Sequence, residues 1–154
     1  MKRTIIAAVA TGLIIGFSMP GPAAAQEKPS DRQFISLTEG PSQTPFSSAI
    51  LVGNTLYISG MLGTDPAAGK MAGETITVQA EQIFRNFEVV LKKAGMTLAN
   101  VVSTTVFITD FKEFAEFNAA YRKGFPKNPP TRATVQVSAL AMGAKVEISA
   151  IAVR

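Results

Sequence analysis

The sequence contains no cysteine and no histidine. Without thiols there are no disulfides, no zinc site built on cysteine and no cysteine nucleophile. Without imidazole there is no Ser-His-Asp relay, no histidine ligand and no base that ordinarily titrates near neutrality. Proton transfer in any enzyme made from this chain rests on a carboxylate, a lysine, a tyrosine or water. An excess of one charge is lacking too. Fifteen lysines and arginines face eleven acidic residues, a formal net charge of +4. Two of the positive charges, Lys2 and Arg3, sit in a stretch that reads as an export signal, so the remainder is closer still to neutral. That balance implies no nucleic-acid partner. Lys112, Arg122, Lys123 and Lys127 do gather around one segment, but Glu113 and Glu116 lie among them and no aromatic residues interleave for base stacking, so this reads as a solvated face.

The chain opens Met1-Lys2-Arg3, runs apolar from Thr4 to about Phe17, and passes through Pro20 and Pro22 to Ala23-Ala24-Ala25-Gln26. A positive start, a short apolar run and a small-residue site are the three parts of a secretory signal. The run is short for a membrane span, and the prolines would end a helix before it crossed a bilayer. The expectation is a signal peptide over 1–25 cleaved after Ala25, a flexible polar leader over 26–31, and one domain over 32–154. The mature protein is then periplasmic or secreted and free of the membrane.

Ile50-Leu51-Val52, Gly53-Asn54 and Thr55 to Ser59 read as a hairpin, with Gly-Asn supplying positive torsions at the turn and Gly60 closing the second strand. From Thr75 to Ala94 the period changes: Ile76, Ala80, Ile83, Phe84, Phe87, Leu91 and Ala94 recur every three or four residues, which predicts an amphipathic helix. Thr75 or Thr77 caps its start, Lys92 and Lys93 suit its negative end, and Gly95 fits a left-handed stop. Val101 to Ile108 is β-branched and predicts a strand. Asp110 then caps a second helix through Phe114, Phe117 and Tyr121 to Gly124. After Pro126, Pro129 and Pro130, strands are expected over Thr131 to Val137 and Lys145 to Val153. The order predicts an α+β domain, one sheet with both helices on one face. The other face must meet water or a partner.

Period-two alternation sorts the polar residues of these strands. In Thr131 to Val137 it sends Ala133, Val135 and Val137 toward the core and Arg132, Thr134 and Gln136 away from it. In Lys145 to Ile151, Val146, Ile148 and Ala150 face in, with Glu147 and Ser149 out; in the hairpin, Leu56 and Ile58 face in, with Tyr57 and Ser59 opposite. Arg132, Glu147 and Ser59 are thus expected on one open face. A guanidinium fork suits a ligand carboxylate through two parallel hydrogen bonds, and Glu147 suits activation of water. A cross-strand Arg132–Glu147 ion pair on a sheet surface fits the same pattern, and such pairs contribute under about 1 kcal/mol.

Thr44-Pro45-Phe46, Tyr57-Ile58-Ser59-Gly60, the run from Val101 to Asp110, Phe117-Asn118-Ala119-Ala120-Tyr121, Pro130-Thr131-Arg132 and the run from Val146 to Ala152 together resemble the Rid (YjgF) family across almost the whole mature chain. The resemblance implies a chorismate-mutase-like domain: one mixed β-sheet with two helices on one face, assembled as a homotrimer with a site in each cleft between subunits. It implies cofactor-free and metal-free hydrolysis of small 2-imino and enamine acids to 2-keto acids and ammonia. By motif position Arg132 would hold the substrate carboxylate and Glu147 would position or activate water. Ser59 and Gly60 would line the cleft, Asn118 would shape it and Phe46 would cover it. A non-catalytic trimer binding a small carboxylate or a partner protein in the same cleft is the alternative, and the chaperone-like and RNA-cleaving roles of some relatives find little support in a near-neutral chain. Two departures stand out. Thr134 occupies a position where the family often carries cysteine, and the loop from Leu140 to Ala144 lacks a proline common just after that leucine.

Overall fold

A computed structural model describes residues 32–40 and 44–154. The expected signal peptide and leader lie outside the described residues. In chain order the elements are β1 (Arg32–Ile35), β2 (Ala49–Val52), β3 (Thr55–Leu62), β4 (Thr64–Asp65), β5 (Lys70–Met71), α1 (Ile76–Lys93), β6 (Val101–Ile108), α2 (Phe114–Gly124), β7 (Thr131–Gln136) and β8 (Val146–Val153). Six strands form one sheet in the order β1-β2-β3-β8-β6-β7, and β4 pairs with β5 in a small hairpin that the sequence reading did not anticipate. Among the described strands only β6 and β7 run parallel, so the sheet is mixed. Both helices share one core with the inward residues of the sheet. This is the expected α+β architecture.

Helix α1 forms where the 3.6-residue stripe lies, and Ile76, Ala80, Ile83, Phe87 and Leu91 are fully buried against the sheet. Burying a side chain such as Phe87 stabilises the fold by about 1.5–3 kcal/mol. The Val78 amide donates to Thr75 Oγ1 at 3.3 Å, which caps the helix start. At the other end Gly95 takes φ +70°, and the amides of Met96 and Gly95 donate to the carbonyls of Leu91 and Lys92 at 2.8 and 3.0 Å. These two bonds satisfy carbonyls that the helix leaves unpaired, and only a residue at ease in the left-handed region makes the turn without strain.

Three local readings are corrected. At the β2–β3 turn only Gly53 has positive φ, at +57°; Asn54 does not. Strand β3 does not close at Gly60 but runs on to Leu62, because the ladder with β8 slips between Ile58↔Ala150 and Met61↔Ile148. Ser59 and Gly60 occupy that bulge, where one strand carries an extra residue and bends.

The third correction inverts β7. Its parallel register pairs Arg132 with Thr104, Thr134 with Val106 and Gln136 with Ile108. Paired residues share a face, and Thr104, Val106 and Ile108 are buried under the helices. Arg132, Thr134 and Gln136 therefore point toward the helix side. Ala133 and Val135 point to the open side with Thr105 and Phe107, and Val135 is exposed. In β8 the alternation is as expected: Val146, Ile148 and Ala150 are buried, whereas Glu147 and Ser149 face away.

Candidate active site

The bulge in β3 opens one wall of a cleft of about 370 Å³, lined among others by Phe46, Ser59, Gly60, Leu62, Asn86 and Met142. Ser59 is held by its own backbone amide and its hydroxyl, which donate to the Ser48 carbonyl at 3.0 and 3.1 Å. Glu147 stands beside Gly60. A β-carbon on residue 60 would collide with the Glu147 carboxylate, so glycine is what lets the carboxylate lie against the cleft wall. Glu147 itself is half-buried and, among the described residues, forms no ion pair. Phe46 lines the cleft from its loop, as expected.

Arg132 lies elsewhere. Its guanidinium carbon sits 4.6 Å from the centroid of the Tyr121 ring and 5.6 Å from those of Phe114 and Phe117. The faces of three rings on α2 thus hold the cation by cation–π attraction while the strand leaves it at the sheet edge. The Tyr121 hydroxyl is fixed by a 2.7 Å hydrogen bond with Thr104 Oγ1. Burial pushes the Tyr121 phenol above its ordinary value of 10.0, with the Thr104 bond and the positive charge of Arg132 opposing the rise, so the ring stays neutral and keeps its aromatic face for the cation.

Arg132 and Glu147 are two strand spacings apart across the sheet and three residues apart along it, on the order of 14 Å between backbones, and their side chains leave opposite faces. The shared open face expected from alternation is wrong, and so is the surface ion pair. Ser59, Gly60 and Phe46 line one cleft and Glu147 stands against Gly60; Arg132 does not join them. Asn118 is half-buried on α2, next to Phe117 and one helical turn beyond Phe114, which places it with Arg132 rather than with Glu147. Thr134 Oγ1 is buried on the helix side of β7 with no hydrogen-bond partner among the described residues. Asn86 and Met142 are among the cleft residues that escaped the sequence reading. Asn86 sits in the buried stripe of α1, its amide donating to the Leu62 and Thr64 carbonyls at 3.3 and 2.9 Å; Met142 stands in the loop before β8. Only the neighbouring Gly143 hinted at an unusual backbone there.

The family model described as endoribonuclease L-PSP matches residues 38–154. The chain belongs to this family, the Rid family that its motifs resemble. Among Rid proteins it is similar to the human 2-iminobutanoate/2-iminopropanoate deaminase, 40% identical over 124 residues that cover 80% of this chain and 90% of the human protein. The crystal structure of RidA from the Antarctic bacterium Psychrobacter sp. PAMC 21119 superposes with a TM-score of 0.73 at 38% identity, covering 79% of this chain and 99% of that one. That of E. coli TdcF with bound serine gives 0.73 at 30% identity, covering 79% and 98%.

Proposed function

We propose that this chain hydrolyses 2-imino acids and their enamine tautomers to 2-keto acids and ammonia, in a site shared between copies of the chain. The observation that carries the shared site is the separation of Arg132 from Glu147 on opposite faces of one sheet. A substrate of a few atoms reaches both only where two copies meet, and a homotrimer with sheets turned inward supplies such a meeting at each of three clefts. The names of relatives support the chemistry: the human protein is a 2-iminobutanoate/2-iminopropanoate deaminase, and TdcF binds serine, a small molecule with the same carboxylate beside an α-nitrogen.

In this reading Arg132, already oriented by the rings of α2, receives the substrate carboxylate in a two-pronged hydrogen bond. Asn118 shapes the same end. Glu147, across the cleft and against Gly60, accepts a proton from water as the water oxygen bonds to C2 of the protonated imine. The C=N double bond becomes single. Glu147 then returns the proton to the nitrogen, and ammonia leaves as C2=O forms, the hydroxyl proton passing to the Glu147 carboxylate and from there to water or the released ammonia. The steps are hydrolytic and balance with water alone, so the chain's own residues suffice.

The test uses imines generated by an amino-acid oxidase and trapped with semicarbazide. Wild type is expected to suppress the trapped adduct. Arg132→Ala and Glu147→Gln should each lose at least about 100-fold. Chains of the two variants denatured and refolded together should regain about a quarter of wild-type activity, since random mixing leaves about one cleft in four with its arginine from one copy and its carboxylate from another. A mixture as inactive as its components would sink the shared site. If wild type binds 2-keto acids yet never suppresses the adduct, the chain is a binder of small carboxylates and not an enzyme.

A further inference from the structure

The slip in the β3–β8 ladder leaves the wall that carries Glu147 in need of support from outside the sheet. Between Ile58↔Ala150 and Met61↔Ile148 the pairing is irregular, and a bulge disrupts the ladder that would otherwise fix two strands to each other. Glu147 belongs to the next pair along, Leu62↔Glu147. Two amide side chains on the buried face of α1 reach both strands there. Gln79 accepts from the Lys145 amide at 2.8 Å through Oε1 and donates from Nε2 to the Gly73 carbonyl at 2.9 Å, so it holds β8 at its entry, just before Glu147. Asn86, two helical turns or roughly 10 Å further along α1, donates to the carbonyls of Leu62 and Thr64 and accepts from Gln82 Nε2 at 2.9 Å. Between those carbonyls lies Gly63, so near the helix that a β-carbon on it would collide with the backbone of Gln79. Both amides are buried. Asn86 borders the cleft, yet its two N–H groups and its oxygen are engaged within the protein, so it acts on the strand and not on a ligand. Amides in an otherwise apolar stripe specify one arrangement of the groups they bind, which apolar packing alone does not.

We propose that Gln79 and Asn86 are positioning residues for the hydrolysis: they tie the entry of β8 and the end of β3 to one helix and thereby hold the Glu147 carboxylate against Gly60. This inference rests on the imine-deaminase reading. Arg132 stands at the sheet edge against the rings of α2, outside the two strands that these amides join. Turnover therefore depends on Gln79 and Asn86, whereas capture of the substrate carboxylate does not.

The experiment measures kcat and KM of the full chain on the alanine-derived imine, its Kd for pyruvate by calorimetry, and its thermal midpoint. Gln79→Met and Asn86→Leu keep the size of each side chain and remove its hydrogen bonds. Each should lower kcat about 30-fold or more, since about 1 Å of misplacement at a reacting group is costly, with KM and the pyruvate Kd within about twofold of wild type. Gln79→Glu keeps an oxygen for the Lys145 amide but buries a charge. Its thermal midpoint should fall at least as far as that of Gln79→Met, yet its kcat should return to within about threefold of wild type. A kcat that follows the thermal midpoint across the series, or a pyruvate Kd that weakens in step with kcat, overturns the proposal and leaves the deaminase reading standing. Should neither apolar variant fold, Gln79→Glu decides by itself, because a kcat lost along with its thermal stability has the same meaning. If wild type turns over no imine, the deaminase reading falls and crystal structures of wild type and Gln79→Met decide separately. A Glu147 carboxylate displaced from Gly60 by about 1 Å or more keeps the positioning role; one unmoved removes it.

Discussion

Gly60 and Glu147 lie so close that the absence of one side chain sets the position of the other. Gly60→Ala would push the carboxylate off the cleft wall, and a misplacement of about 1 Å at a reacting group can cost on the order of 100-fold. The expected outcome is a large fall in kcat with a thermal midpoint within a few degrees of wild type; a Gly60→Ala variant of normal kcat would show that Glu147 does not act from this wall. At this scale the sequence was informative about Ser59, Gly60 and Phe46, which line one cleft, and about Glu147, which stands against Gly60. It was silent about Met142, because a lone methionine carries no pattern, and its position depends on backbone torsions that alternation does not encode.

At the scale of elements, both helices and every strand of the main sheet from β2 onward were legible from periodicity, caps and β-branched runs. Strand β7 was not read correctly, and the reason is physical. Its residues alternate small apolar with polar, so taken alone Ala133 and Val135 belong in the core. The parallel pairing with β6 decides otherwise, and Arg132 satisfies the helix side by laying its cation on aromatic rings and not by avoiding them. The bulge in β3 was missed for a similar reason, since a slip in register is a property of two strands and not of one. The α2–β7 contact also has a signature in pH. Because the Tyr121 phenol is held above 10.0 in the fold, the unfolded chain loses that proton first as pH rises. The stabilisation from burying neutral Tyr121 is therefore complete below about pH 10 and is lost as pH climbs through the folded value. Urea unfolding between pH 8 and 11 should show wild type losing stability faster than Tyr121→Phe across the top of that range; parallel curves would mean the ring is not buried as described.

For the whole molecule, the open side of the sheet poses the main question. Tyr57, Val135 and Ile151 stand exposed there at 51%, 45% and 37%, beside Ser103, Thr105 and Ser149. The element order in the sequence already required one uncovered face, but what covers it lies in contacts between chains, which no single-chain pattern describes. If copies meet on this face, Ile151→Asp places a charge where apolar surface is to be buried. Sedimentation should then find a monomer with unchanged helix content, and deamination should disappear with the assembly. A variant that remains assembled would move the interface elsewhere. The edges of the sheet behave differently from its face. Among the described residues β1 is four residues long, and β7 follows directly on Pro129-Pro130 and carries Arg132; short strands, prolines and charge are features that discourage a further strand from adding. The open-ended stacking that turns sheet proteins into fibres is thus left without a template at either edge.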